Sequence, residues 1–580
     1  MKFCPNCGKE VTESAKFCPS CGKSTEIEQV APAVEITQQH QRTPKVFPKK
    51  WLIIGIIAVL LVGGGTALGF TLLNGPKELY LMAEAKTYKS TMDQFEDQYG
   101  EDLKFQEEML ESPSSSELKL SGNVEMDTEY PDPTLEMVQE ILDQAALVIK
   151  SDQDPKKQAS FNTIGLEMDG SSVVDLELYQ STEQLGLKVP TLYDKYFYLN
   201  LDEYGEVMRM VDPYYEGPEK LDLSTIKWDE IKFSDKEIDE IKSRYYEYVF
   251  KALKDDYFTL EKNVPYEHDG EKMKLRKITL KMSSKEVETF INGFVDELIE
   301  DEKLHGMIAD RLAKLANAGL EEMDVDFTDK KEVQKEMKSA LKDLKSALKD
   351  VDYTDGFKSV ILIDKKEQII DRHMEIAFDG DVNLEVSTKN VPIGKDDRYQ
   401  EYKIELGPED ASEGKMVFEL TNDSKGAKDG REEKMKANFY FEEYEYVVMD
   451  FTFKMNSEFK GKNPNKQTII RDFDVVLDGE DFYDMTPVSG KITQEKDVSV
   501  KDKHSNNKFK IEVNVEDEYE SGSVVINVDS KVKLKDKVDL PKMDTASGMN
   551  VAELTEEDIM EIGQEVGFKL QDLMMELGLY

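Results

Sequence analysis

Beyond Cys21 this 580-residue chain contains no cysteine, so more than 500 residues must hold their fold without disulfides, structural thiolate sites or thiol catalysis. Histidine is almost as scarce. Five occur, and His268, His305, His373 and His504 lie in separate segments, the default pattern of unconnected histidines. No H-E-x-x-H, G-x-S-x-G or phosphate-cradling glycine loop is present, and no S-x-x-K has its partners in place. The stretch Asp350-Val-Asp352-Tyr-Thr-Asp355-Gly356 lacks the ligand spacing of a calcium loop, and Ile361 stands where the closing glutamate belongs. Carboxylates are so common that pairs arise by chance, and no spacing selects a glycosidase pair. Cations are short as well: 75 Lys+Arg face 120 Asp+Glu, a net charge of −45. A basic footprint for nucleic acid is excluded.

One stretch lacks charge altogether. Trp51–Leu73 reads WLIIGIIAVLLVGGGTALGFTLL. As a helix it is about 34 Å long, enough to cross the ~30 Å hydrocarbon core of a bilayer. It is too long and too far into the chain for a signal-peptide core. The sequence predicts a retained single-pass anchor. Arg42, Lys45, Lys49 and Lys50 crowd its N-terminal flank, against Lys77 on the other side, which orients the N-terminus to the cytoplasm. Residues 1–50 hold 8 Lys+Arg and 5 Asp+Glu, so the acidic excess lies beyond the span. The localisation expected is the cell membrane, with the C-terminal region extracellular.

All four cysteines precede the anchor: Cys4-Pro-Asn-Cys7-Gly8 and Cys18-Pro-Ser-Cys21-Gly22. Paired C-x-x-C motifs are the spacing of a tetrahedral tetrathiolate zinc site, and about 25 residues need metal to fold at all. Cys4, Cys7, Cys18 and Cys21 are the predicted ligands of one structural Zn2+. Four protein ligands leave no open position for catalysis. Reduced thiolates also suit a cytoplasmic N-terminus. Ser24–Pro48 is polar and aperiodic, and reads as a flexible tether.

The M-K-F-C-P-N-C-G start, the second C-P-S-C-G, the Pro/Gln-containing linker and the anchor together resemble the zinc-ribbon, single-pass membrane proteins of Bacillus-like Firmicutes. Gly75-Pro76-Lys77-Glu78-Leu79-Tyr80 and Ala83-Glu84 resemble the start of the exported region in an uncharacterised branch of that family. The resemblance implies a role in the envelope, and relatives of this architecture are linked to envelope stress and glycopeptide response.

Past the anchor, Pro76 opens a helix to about Glu111, with Tyr88, Met92, Phe95 and Tyr99 as its apolar stripe. Alternation predicts strands at Leu118–Met126, Phe161–Met168, Val173–Tyr179, Leu185–Val189, Tyr193–Leu201 and Met273–Met282, with Asp169-Gly170 as a hairpin turn. Helices are expected at Thr134–Lys150, Asp235–Asp256, Ser284–Leu320 (bent at Gly293 and Gly306) and 328–350, the last capped by Thr328. From Phe357 to about Leu540 nearly every segment alternates. A final helix, opened by a Thr555/Asp558 capping box, should lie across that sheet and cover it.

The expected fold is α+β: a zinc ribbon (1–24), flexible linker (25–50), transmembrane helix (51–73), stalk helix (74–116), exported α+β unit (117–327), connecting helix (328–356) and second exported α+β unit (357–580). Each exported unit is read as a twisted antiparallel sheet with helices on one side, similar to half-barrel lipoprotein carriers. The expected function is a non-enzymatic, membrane-anchored envelope protein. Its ribbon docks a cytoplasmic protein partner, and its exported domain binds a wall, lipid or protein component. A wall-acting hydrolase with a carboxylate site and a structural scaffold are the alternatives. A cavity lined by apolar side chains favours the first, a cleft with two converging carboxylates of raised pKa the second, and flat filled sheets the third.

Overall fold

The computed structural model describes residues 2–3, 10–11 and 75–576, apart from 128–132, 222, 224–230, 318–326, 328, 350, 379–381, 409–413, 445, 480–484, 517–520 and 542–547. The chain divides into two units, residues 1–59 and 60–580. In the first, β1 (Lys2–Phe3) and β2 (Glu10–Val11) pair antiparallel, Lys2 opposite Val11 and Phe3 opposite Glu10. No helix among the described residues is long and apolar enough to cross a membrane, and Trp51–Leu73 lies outside them.

The second unit opens with α1 (Pro76–Glu111), a helix of 36 residues and about 54 Å. Its first proline costs no hydrogen bond there. The strands are β3 (Ser114–Asp127), β4 (Ala145–Asp154), β5 (Ala159–Met168), β6 (Ser171–Gln180), β7 (Gln184–Val189), β8 (Tyr193–Asn200), β9 (Phe258–His268) and β10 (Glu271–Met282). They continue as β11 (Phe357–Ile363), β12 (Ile369–Phe378), β13 (Val382–Ile393), β14 (Asp397–Gly407), β15 (Lys415–Ala427) and β16 (Gly430–Glu443). The series ends with β17 (Tyr446–Lys460), β18 (Lys466–Asp478), β19 (Val488–Ser499), β20 (His504–Glu516), β21 (Ser521–Leu534) and β22 (Met549–Asn550). Helices α2 (Pro133–Gln144), α3 (Tyr204–Val211), α4 (Asp235–Ala252), α5 (Ser284–Glu300), α6 (Glu302–Asn317), α7 (Lys330–Leu348) and α8 (Glu556–Glu576) fill connections and the C-terminus.

All twenty strands from β3 to β22 belong to one sheet, where the sequence predicts two. Antiparallel ladders run without interruption from β9 to β21, and β21 then pairs with β3, Val524 opposite Val124. The meander β3 to β8 follows, and β22 adds to β8 in parallel, Met549 opposite Phe197. Strand order is the cyclic order of a barrel. Yet β8 pairs with β7 and β22, and β9 with β10, so no ladder among the described residues joins β8 or β22 to β9. The two halves merge because the last long strand returns to the first, a pairing across 400 residues that local periodicity cannot reveal.

The helix α1 crosses this sheet strand by strand. Near its start Tyr80 donates to or accepts from Ser359 on β11 at 2.7 Å, and its ring packs edge-on against Phe258. One turn on, Glu84 pairs with Arg372 on β12. Thr87 Oγ1 accepts from the Ile369 amide (2.9 Å) and Gln94 Oε1 from Arg398 on β14 (3.1 Å). Gln98 meets Gln467 on β18, Asp102 pairs with Lys496 on β19, and Glu101 accepts from the Val500 amide at 2.8 Å. Phe105, fully buried, packs with Val498 and Leu534. The predicted stripe of Tyr88, Met92, Phe95 and Tyr99 is on the exposed side instead. The buried side mixes Tyr80, Leu81, Phe105 and alanines with polar residues, because its strand-borne partners include Arg, Lys, Gln and Ser beside Phe258, Val498 and Leu534.

Several other expectations shift. Ala145–Asp154 is a strand where a helix was expected to Lys150, because Leu147 and Ile149 fit the ladders to β3 and β5. Strand β9 was missed; its pattern is polar on most positions. The stretch from Ser284 breaks at Asp301 rather than at Gly293 or Gly306. Asp301 leaves helical geometry (ψ 74°) and accepts from the Leu304 amide at 2.9 Å. Burial opposes its ionisation, but Leu304 N, the Tyr245 hydroxyl and Arg244 hold the carboxyl below its ordinary range. Helix α7 is capped by Asp329, whose carboxylate accepts from Lys331 and Glu332; Thr328 lies outside the described residues. Asp169 and Gly170 both take positive φ, as the predicted hairpin requires. The Thr555/Asp558 box is present, but α8 leaves Ile559, Phe568 and Leu570 exposed and does not cover the sheet.

The Glu84–Arg372 pair is the strongest local tie between α1 and the sheet, each side chain about a tenth exposed or less. Burial pushes the Glu84 carboxyl above its ordinary range against the pull of Arg372. Arg372→Ala is expected to lower unfolding free energy by about 3 kcal/mol in urea titrations, since it strands a buried carboxylate. The loss should shrink as pH falls, because a carboxyl with raised folded pKa regains stability once protonated. A pH-independent loss would show that packing, not charge, is at stake.

Candidate functional site: the apolar face of the sheet

Residues directly opposite in a ladder share a face, so the registers sort every strand residue onto one of two surfaces. One surface is apolar. Met374, Val386, Ile404, Phe418, Phe439, Phe451 and Leu477 stand in one row across β12 to β18. Two residues along each strand, Tyr402, Leu420, Ala437, Phe453, Val475 and Val488 form the next row. A third carries Met435, Met455, Phe473, Gly490, Val513 and Val524. Gly490 has a steric reason: a Cβ there would meet the Phe473 ring at 2.4 Å. The rows extend over β3 to β6 through Leu120, Leu147, Leu166 and Val174.

The opposite surface is charged and laced with cross-strand ion pairs: Lys389–Glu401 (2.8 Å), Lys415–Glu405 (3.2 Å), Lys119–Glu167 (2.6 Å) and Lys531–Glu117 (3.4 Å). Such exposed pairs are worth about 0–1 kcal/mol each. Two recesses lie on this side. One, of about 650 Å³, is lined by residues including Ser115, Glu117, Lys150, Asp152, His504 and Lys531; the other, of about 350 Å³, by residues including Lys119, Glu495, Lys508 and Asp529.

Coverage of the apolar face is uneven. Around β10 to β12 it is buried: Ile278, Leu280, Ile361, Met374 and Ile376 are all 5% exposed or less. Where α1 crosses, Phe459, Ile469 and Val498 are buried too. Toward the hairpin tips away from α1, Ile404 is 43% exposed, Phe418 38%, Val515 40% and Ile526 42%, and the intervening Phe, Met and Val side chains are half-buried. Contiguous exposed apolar surface, unlike scattered single residues, marks a binding or interaction surface.

The carboxylates displaced upward do not converge. Glu84 meets Arg372 on the apolar face, whereas Asp371 lies on the charged face, raised by burial and hydrogen-bonded by Tyr266 at 3.2 Å. Neighbours along a strand point apart, so no acid/base pair forms between them. His268, His305, His373 and His504 are dispersed, as their spacing suggests. His373 contacts Ser387, Glu375 and Glu385, His504 contacts Asp497, and His305 is buried in α6. No group of acidic, histidine or cysteine side chains fit to hold a metal occurs among the described residues. The alternation in each strand is legible in the sequence, but the assembly of the Met, Phe and Val positions on one face is disclosed only by the registers.

Cys4, Cys7, Cys18 and Cys21 lie outside the described residues. Four thiolates would hold the ion without an open position.

Comparison with known proteins adds one firm result. No curated protein matches the chain. Among solved structures, the monoaromatic hydrocarbon channel CymD is 6% identical, with 76% of this chain and 93% of that chain covered and a TM-score of 0.18. OccK1 of Pseudomonas aeruginosa is 6% identical (72% and 98% covered, TM-score 0.20), and OccAB4 of Acinetobacter baumannii 7% (73% and 98%, TM-score 0.19). At such scores these likenesses carry no argument. Residues 3–25 match the zinc-ribbon domain family, so the N-terminus of the chain is a zinc ribbon. Purified protein should contain about one zinc per chain by elemental analysis, and Cys4→Ser/Cys7→Ser should lose it. Retained zinc in that variant would place the ligands elsewhere.

Proposed function

We propose that this is a non-enzymatic, membrane-anchored envelope protein whose large sheet binds an apolar molecule, a lipid in the first instance. Trp51–Leu73 is the single-pass anchor in this reading. The ribbon is a rigid cytoplasmic knob that docks a protein partner, and the sheet stands outside the cell. The observation that carries the reading is the half-exposed apolar face from Ile404 to Ile526, held open by a helix that crosses only its other end. Among the described residues the raised carboxylates Glu84 and Asp371 lie apart, which lends the hydrolase alternative no support, and an uncovered face suits a binder better than a passive spacer.

Photocrosslinking tests it. A photoreactive phenylalanine at Phe439 or Phe451 in the full chain, irradiated in living cells, should capture metabolically labelled lipid. The same probe at Lys454, on the charged face of β17, should not. Equal capture from both faces would refute lipid binding by the apolar surface. Topology has its own check: protease added to intact cells should remove the acidic region and spare the ribbon, and digestion of the ribbon would invert the layout.

A further inference from the structure

Charge is distributed on the apolar face in the reverse of the chain as a whole. Across β14 to β21 the rows of that face carry Arg398, Arg431, Arg471 and Lys496 against two carboxylates, Glu433 and, at the outer end of β16, Glu443. The whole chain has 120 acidic and 75 basic residues. Lys496 is neutralised by Asp102 of α1, and Arg398 donates to the neutral Gln94. The remaining two cations share one aromatic ring. Arg431 on β16 lies 4.0 Å from the centre of the Phe459 ring, and Arg471 on β18 lies 5.8 Å from it. Phe459 itself is 5% exposed. Arg431 meets Glu433 at 2.7 Å, but Arg471 has no carboxylate within ion-pair distance among the described residues.

The position of this pair matters as much as its charge. On β18 the same face reads Arg471, Phe473, Val475, Leu477 toward the hairpin tip. The guanidinium therefore stands at the inner end of an apolar strip about 20 Å long. On β16 the sequence is Arg431, Glu433, Met435, Ala437, Phe439, Phe441, with the cation again at the inner end. A neutral hydrocarbon would leave an uncompensated guanidinium beside it, which is costly in a half-buried site. A ligand with one anionic end and a long apolar tail satisfies both parts.

Building on the lipid-binding reading above, we propose that the ligand is an anionic amphiphile: its phosphate or carboxylate head rests on Arg471 and Arg431, and its chains lie outward over Phe473, Phe453, Phe451 and Phe439. Arginine forks suit either oxyanion through paired hydrogen bonds. The two head groups have different sources, a phospholipid or a free fatty acid, and the experiment separates them.

The full chain is reconstituted in phosphatidylcholine nanodiscs doped with one of three photoreactive, clickable lipids carrying the same chains: phosphatidylglycerol, a free fatty acid, or neutral diacylglycerol. Adducts are mapped by peptide mass spectrometry, and those on β15 to β18 are counted. At least one anionic probe is expected to label these strands about tenfold more than diacylglycerol, the difference a charge-assisted contact provides. The anionic probe that labels identifies the head group. The double variant Arg431→Gln/Arg471→Gln should reduce that labelling to the neutral level. Phe439→Asp/Phe451→Asp should abolish labelling by all three. Equal labelling by the three probes, or labelling unchanged in the arginine variant but lost in the phenylalanine variant, overturns the head-group assignment while leaving an apolar binding face. No labelling of these strands by any probe overturns both.

Discussion

A sheet one layer thick, apolar on one side and charged on the other, needs something to lie against its apolar side. Here α1 meets that need at one end only. The helix buries Tyr80, Leu81, Ala83, Ala85 and Phe105 and adds a series of polar contacts, Tyr80 with Ser359, Glu84 with Arg372, Gln98 with Gln467 and Asp102 with Lys496. Each contact is directional, so together they fix the register of the helix over strand after strand. Hydrocarbon contact alone would let the helix slide. The part of the face beyond its reach is left half-exposed, and among the described residues no helix lies between successive strands from β11 to β21.

The period-two alternation of β17, β20 and β21 was plain in the sequence, as were the Asp169-Gly170 turn, the extent of α1 and the capping box at Thr555. What was not legible depended on partners far away in the chain. The apolar stripe of α1 was assigned to the wrong side, since the contacts that fix its buried side lie on strands hundreds of positions later. Strand β9 has too few apolar positions to stand out, and β4 carries helix-compatible residues that tertiary pairing overrides. The merging of two expected sheets has the same origin, because nothing local to Ser114–Asp127 announces Ser521–Leu534 as its neighbour.

The candidate site was legible in part. Aromatic and methionine residues were visible as a population, but alternation gives two faces and no hint of which is covered. The positive rim formed by Arg431 and Arg471 was hidden in an overwhelmingly acidic composition. Only the ladder registers separate them from the salt-bridged lysines on the other side, placing Arg471 on the face of Phe473 and Arg431 on the face of Phe439. The zinc ribbon is the converse case: its ligand spacing is local, so sequence alone is sufficient to read it.

The ladder between β21 and β3 also governs how the protein can be made. Lys531 meets Glu117 across a separation of 414 residues, and the Val500 amide reaches Glu101 across 399. During synthesis the N-terminal strands and the bound side of α1 wait for almost the entire chain before their partners exist. Contacts of such range form slowly and leave strand edges and apolar rows exposed in the meantime. A nascent chain of this design depends on being shielded until its last long strand arrives, and shortening it from the C-terminal side removes the closure on which the earliest strands rely.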